Sequence, residues 1–376
     1  MKLSVDVLDT LAPLHVAGYL RTRGWREVER QGERAVVYEK EGDEQQSGAE
    51  ALVPLDPNLG DYHLRLADVL ATLEGVESRP REEIADDIRS VLMDSIRIRL
   101  AGPTLEGPSL SLERAEQIVT HARLLLLAAA CATIDPRRVY PPRRPDRVAE
   151  FGERLLLAPP AKGSYVLTLR SPVPAVAQDL WDDSDYEPPF ERRAIKMLGK
   201  ALTAAHRVAL SMTSASAEVE HGVSANLCEA IHGLVQASMA RQMDVSIAAA
   251  PARPTFATHR VTFSAEGAAA LGEVARSFRA TSPREDFVLE GAVVKLENPS
   301  VSVGAPGEAV LAALVDGAMK RVTVELEASD YALVVDAHRQ GRIVSMHGEL
   351  AKVKRSWMLK NPRALRVRHQ EPDELD

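Results

Sequence analysis

Between Leu350 and Gln370 the chain carries seven cations and no acid: Lys352, Lys354, Arg355, Lys360, Arg363, Arg366 and Arg368, with Trp357 among them. Cations neutralise phosphates and an indole ring stacks on bases, so this composition suits a single-stranded nucleic-acid surface. A second group, His221, Cys228, Glu229 and His232, has different chemistry. In a helix beginning at Ser224, Cys228 and His232 stand at i and i+4 on one face. That spacing could hold a zinc, with His221 as third ligand, or set a thiol nucleophile beside a base. No second cysteine or histidine completes four ligands locally, and Leu227, Ile231 and Leu234 mark a core-like face. Ordinary packing is therefore the expected role, and no metal or cofactor is expected. Asp182, Asp183, Asp185 and Glu187 read as a charged, solvated linker, because a magnesium site needs rigidly held carboxylates. There is no phosphate-binding P-loop and no G-x-G-x-x-G fingerprint. The remaining histidines show no recognisable triad spacing.

The elements that must position the basic segment come just before it. In a strand over Ile343–Val353, Val344, Met346, Gly348 and Leu350 share one face and Ser345, His347 and Glu349 the other. Upstream are strand-like runs at Phe287–Leu296, Val310–Val315 and Arg321–Leu326, with Asp316-Gly317 as a turn. A helix is predicted over Ser329–Gln340, and Ala364–Val367 closes the module. Trp357 falls in a basic loop before that last strand. The pattern FVLEGAVVKLEN, then RVTVELEASDYALVVDAHRQGRIVSMHGEL, then NPRALRVRH resembles the OB-fold, a five-stranded barrel with a helix between its third and fourth strands. The resemblance implies single-stranded nucleic acid or a protein as ligand, since the fold alone does not choose between them.

The first hundred residues read as a helix over Leu11–Arg23, three strands (from Trp25, Arg34–Tyr38 and Ala51–Leu55), two helices (Asp61–Leu73 and Glu82–Met93) and a last strand at Ile96–Leu100. The run RTRGWREVERQGERAVVYEKEG followed by ALVPLD is similar to the helix–strand–strand start of the HicA-like small mRNA interferases. That resemblance implies a double-stranded-RNA-binding-like fold. The family's catalytic histidine follows a glycine, whereas here Gly32 is followed by Glu33 and Arg34, so its catalysis is not implied. Residues 1–100 hold 13 Lys and Arg against 20 Asp and Glu, which favours a structural or protein-interaction module.

The middle of the chain predicts a long apolar helix at Leu112–Ile134, an arginine-rich loop at 135–147 and strands at Arg154–Leu157 and Ser164–Leu169. Helices follow over Phe190–Met212, Ser224–Ala240 and Ala265–Arg279, with strands at Asp244–Ala249 and His259–Phe263 between the last two. The fold class expected is α+β and multidomain: a small α/β module at 1–105, an α+β middle domain at 106–285, an OB-like barrel at 286–370 and an acidic tail at 371–376.

At 376 residues with a net charge of -8, the chain can form several cores but is a poor generic coat for duplex DNA. Two cysteines are too few for a disulfide scaffold, and Asp6 and Asp9 interrupt any N-terminal apolar run. Leu124–Ile134 is shorter than a membrane span of about 20 residues and reads as buried. The function expected is a non-catalytic cytoplasmic adaptor or regulatory protein with a protein partner and no membrane. Its basic segment is a candidate contact for single-stranded nucleic acid, with a protein as the other ligand class, and a homo-oligomer is compatible. The alternative is a metal- or cysteine-dependent enzyme using His221, Cys228 and His232.

Overall fold

A computed structural model describes residues 5–42, 48–102, 110–158, 165–174, 188–297, 305–315, 317–353 and 356–368. The fold is α+β, with three sheets, one of them closed into a barrel. The chain divides into two compact units: Met1–Arg137 with Arg144–Gly272, and Arg138–Arg143 with Glu273–Asp376.

The first unit opens with helices α1 (Val5–Asp9) and α2 (Pro13–Thr22). Pro13 starts α2 where a missing amide costs nothing. Strands β1 (Arg26–Gln31), β2 (Ala35–Lys40) and β3 (Ala49–Pro54) form an antiparallel meander, followed by α3 (Tyr62–Glu77) and α4 (Arg81–Ser90). Leu20, Trp25, Val36, Tyr38, Val53, Leu70 and Ile84 belong to their shared core. Glu77 ties the helices together. It accepts from the Tyr19 hydroxyl at 2.8 Å and from Arg79 at 3.2 Å, while Arg79 also reaches Asp87 at 2.9 Å. Burial and Glu77 push the Tyr19 phenol up to about 12.

Strand β4 (Met93–Ala101) differs from expectation. It does not close the N-terminal module but lies at the centre of a second sheet, between β6 (Val166–Pro172) and β7 (Gln242–Ala248). The short β5 (Leu156–Leu157) and β8 (His259–Ser264) are the edges, and every pairing is antiparallel. The alternation of Ile96, Ile98 and Leu100 states that one face is buried, but not against which partner. The long apolar helix has its expected ends, α5 (Leu112–Ile134), with Ser111 as N-cap. It is long and apolar enough to cross a membrane by length and composition alone. In this fold it lies against α7 (Phe190–Ala209) and α8 (Ala225–Ser238), with Leu125–Ala130 buried. Residues 146–154 form a helix, α6 (Asp146–Arg154), where the sequence suggested loop and strand. Pro145 precedes it, and Val148 and Phe151 on one helical face are buried. A 3-10 turn (Ala215–His221) and α9 (Ala265–Thr281) complete the middle elements.

A buried ion pair joins β4 to α7. The Arg192 guanidinium donates to Asp94 Oδ1 at 2.9 Å, to Thr255 Oγ1 at 2.7 Å and to the Arg253 carbonyl. The Ala250 amide donates to the same Asp94 oxygen at 2.7 Å. Arg192 is 1% exposed and Asp94 0%. Burial raises the Asp94 carboxyl above the usual range, and the Arg192 charge and Ala250 amide oppose that rise.

In the second unit, β9 (Arg284–Glu297), β10 (Gly307–Val315), β11 (Ala318–Leu326), β12 (Ile343–Val353) and β13 (Ser356–Arg368) close into a barrel, with α10 (Ala328–Arg339) between β11 and β12. The order around the barrel is β10-β11-β13-β12-β9; β11 and β13 run parallel and all other pairs antiparallel. Leu289, Leu311, Val322, Val324, Val344, Met346 and Leu350 fill it. A Cβ at Gly291 would sit 2.2 Å from the Ala312 carbonyl oxygen, so the β9–β10 approach requires glycine. The closing strand is longer than expected. It starts at Ser356, not Ala364, so Trp357 lies in a strand and not in a loop. Asn361, Pro362 and the left-handed backbone at Asn361 and Ala364 hide its first half from an alternating pattern.

Asp94→Ala leaves the Arg192 charge buried without its carboxylate, and should lower the first unit's unfolding free energy by about 3–5 kcal/mol. Chemical denaturation followed by far-UV circular dichroism measures this. A loss below about 1 kcal/mol would show that the pair does not carry the junction.

Candidate nucleic-acid interface

The barrel brings together cations that are far apart in sequence. A groove of about 630 Å³ is lined by Lys295 of β9, Lys320, Arg321 and Thr323 of β11, Lys352 of β12 and Ser356 and Trp357 of β13. The apolar Val294 and Val310 also line it, and among the described residues no carboxylate does. Register explains the convergence. Lys295 lies opposite Val310, which lies opposite Thr323, while Trp357 lies between Val322 on β11 and Lys352 on β12. Lys352 Nζ stands 5.9 Å from the centroid of the Trp357 ring, a cation–π arrangement. Trp357 is half-buried: part of the ring packs on the barrel core and part faces the groove. Lys295 also pairs with Glu297.

Of the residues expected from sequence, Lys352 and Trp357 line this groove, and Lys354 and Arg355 lie outside the described residues. Lys360 lines a different cleft of about 1110 Å³, together with Glu297, Glu308, Glu325, Glu327 and Asp330, where the local field is acidic. Arg363 is held by Asp286 at 2.5 Å and Arg368 by Glu290 at 3.0 Å. The Arg363 charge beside Asp286 holds that carboxyl below the usual range. Arg366 is exposed beside Ser345, away from the groove lining. Sequence reading overlooked Lys295, Lys320 and Arg321, whose only signal is one basic position on β9 and an adjacent pair on β11, strands whose pairing no local pattern states. In the arginine-rich loop, Arg137 pairs with Asp135 at 2.6 Å, and Arg138 and Arg147 lie over Phe278 and Phe190.

The histidine–cysteine group does not converge. His221 Nδ1 lies 2.9 Å from Glu218, which also binds Arg207 at 2.7 Å. Cys228 is wholly buried, and burial with the nearby Glu229 charge pushes its thiol up to about 12. His232 Nδ1 meets the Ala268 carbonyl at 3.2 Å. Among the described residues, no three His, Cys, Asp or Glu side chains form a metal-binding group. Asp182, Asp183, Asp185 and Glu187 lie outside those residues, as do the Asp316 turn position and the acidic tail.

No family model, curated protein or solved structure matches this chain.

Both cysteines are free and buried, and burial raises each thiol. Thiolate is the reactive form, so native protein at pH 8 should give no rapid reaction with a disulfide reagent. Denatured protein should release two equivalents. Rapid native reaction at Cys228 would overturn the assignment of that thiol to the core.

Proposed function

We propose that this protein is a non-catalytic, cytoplasmic adaptor that binds single-stranded nucleic acid in the barrel groove. The observation that carries the reading is the groove lining: four cations and a half-exposed indole with no carboxylate among the described lining residues. Phosphates follow the cations, Thr323 and Ser356 offer hydroxyl donors, and a base stacks on Trp357. None of this requires a defined sequence, because every base has a π-face. The barrel's strand order, parallel β11–β13 pair and inserted helix fit the OB-like resemblance, in which oligonucleotides lie on the face of the second and third strands. Lys320, Arg321 and Thr323 belong to the third. The acidic cleft around Glu325 and Asp330 disfavours phosphate and suits a basic protein partner, which is the adaptor half of the proposal.

In the N-terminal module the interferase resemblance implies a helix–strand–strand start without that family's catalysis. Glu33 and Arg34 after Gly32 supply no general base of the kind that family uses, which supports a non-catalytic reading. A core thiol and two histidines engaged elsewhere give no reason to favour an enzyme at Cys228.

Fluorescence anisotropy with labelled single-stranded DNA and RNA across a salt series tests the proposal. Replacing Lys320, Arg321 and Lys352 together by alanine should reduce the slope of log affinity against log salt by about 2, at about 0.7 per lost phosphate contact. Trp357→Ala should weaken binding roughly 5- to 150-fold, the equivalent of about 1–3 kcal/mol of stacking, and Trp357→Phe should restore most of it. Absence of binding at low salt, or binding indifferent to all four residues, refutes the proposal.

A further inference from the structure

On the second sheet of the first unit the described residues of one face are mostly buried and those of the other are exposed or half-exposed. Helix α7 packs on β6 and β8, with α5 in turn against α7 and α8, and on one face of the sheet Ile96, Ile98, Leu167, Leu169, Val245 and Ile247 are all buried. Alternation sends the intervening residues the other way. Arg97 and Arg99 of β4 and Arg260 of β8 are exposed there, and Arg170 of β6 is half-exposed. Register sets them close together. Arg97 lies opposite Ser246, which lies opposite Arg260; Arg170 lies opposite Ser95, one residue pair along from Arg97. With strands about 4.8 Å apart and a rise of about 3.4 Å per residue, the four arginines occupy a patch on the order of 15 Å across.

Among the described residues no carboxylate pairs with any of these arginines. The one acid on this face, Asp244, accepts instead from Thr262 and Gln242, both at 2.8 Å. Arg97, Arg99 and Arg260 line a depression of about 300 Å³ with Ser246, Thr262 and Asp244, the last opposite Arg99 on the neighbouring strand. Four arginines against the single acid Asp244, among the described residues of this face, are a local excess of positive charge on a chain whose net charge is -8.

We infer that this face is a second nucleic-acid contact, one that grips the phosphate backbone of a duplex. The face carries no aromatic residue, so it has nothing to stack on splayed bases, unlike the barrel groove. It also lacks a buried apolar or aromatic anchor of the kind that dominates protein–protein interfaces. Arginine forks with serine and threonine hydroxyls between them match phosphate oxygens. A duplex strand presents a phosphate about every 3.4 Å along its axis, so a patch on the order of 15 Å spans about four. Recognition is by charge and shape, without base reading.

The test uses the full chain, short labelled DNA and RNA duplexes of unrelated sequence, and poly-glutamate as an acidic polypeptide probe. Replacing Arg97, Arg99 and Arg260 by alanine should weaken duplex binding at least tenfold. The log–log salt slope should fall by about 2.7, at about 0.9 per contact, while the lysine triple variant keeps most of the slope. The barrel variant lacking Lys320, Arg321 and Lys352 should retain duplex binding, which separates this inference from the groove proposal. An unchanged slope in the alanine variant, with native circular dichroism, overturns it. So does loss of duplex binding in the barrel variant alone, or arginine-dependent binding of poly-glutamate with none of either duplex.

Discussion

The first unit depends on a charge removed from water. Asp94 stands at the start of the central strand, on the face that otherwise holds Ile96, Ile98 and Leu100. A buried carboxylate there is tolerable only because a guanidinium and a backbone amide converge on it. Arg192 comes from the first turn of α7, 98 residues away in sequence, and its remaining donors hold the Arg253 carbonyl and Thr255 hydroxyl. One desolvated pair therefore registers a strand, a helix and the loop after β7. The same loop reaches the N-terminal module, where the Ala252 amide donates to the Val91 carbonyl at 3.0 Å. With α7 committed to one side of the sheet, the described residues of the other side, the arginines among them, are exposed or half-exposed.

The barrel is organised by a different constraint, closure. Five strands that each turn apolar residues to one core leave two open edges unless the sheet meets itself. Closure demands close backbone approaches, met by Gly291 against Ala312 and by Gly348 against the Lys360 carbonyl. It also sets β13 beside β11, so that Trp357 reaches the lysines and arginine of other strands. The groove is a product of topology acting on scattered cations. Basic residues that the sequence crowds together are instead distributed around the barrel, and Arg363 and Arg368 are neutralised by acids at Asp286 and Glu290.

The two surfaces differ in what they offer a ligand. The groove combines cations with a ring, whereas the sheet face sets arginines among hydroxyls, with Asp244 and no aromatic ring among its described residues. The proposal of unstacked bases for one and a regular phosphate array for the other rests on that difference in chemistry, rather than on net charge.

Much of the local structure was legible from sequence. Leu112–Ile134 and Ile343–Val353 have the ends that their apolar periodicity implies, and Ser224 caps α8 through the Leu227 amide at 3.2 Å. Hydrophobic period, capping and the absence of phosphate-loop motifs are properties of neighbouring residues, so the sequence alone determines them. The partner of β4, the full length of β13 and the burial of Cys228 were decided only by tertiary structure. So were the membership of the groove and the convergence of Arg97, Arg99, Arg170 and Arg260. Strand pairing is chosen by the burial and closure of a whole sheet, and that choice places residues on one face across gaps that no local pattern encodes.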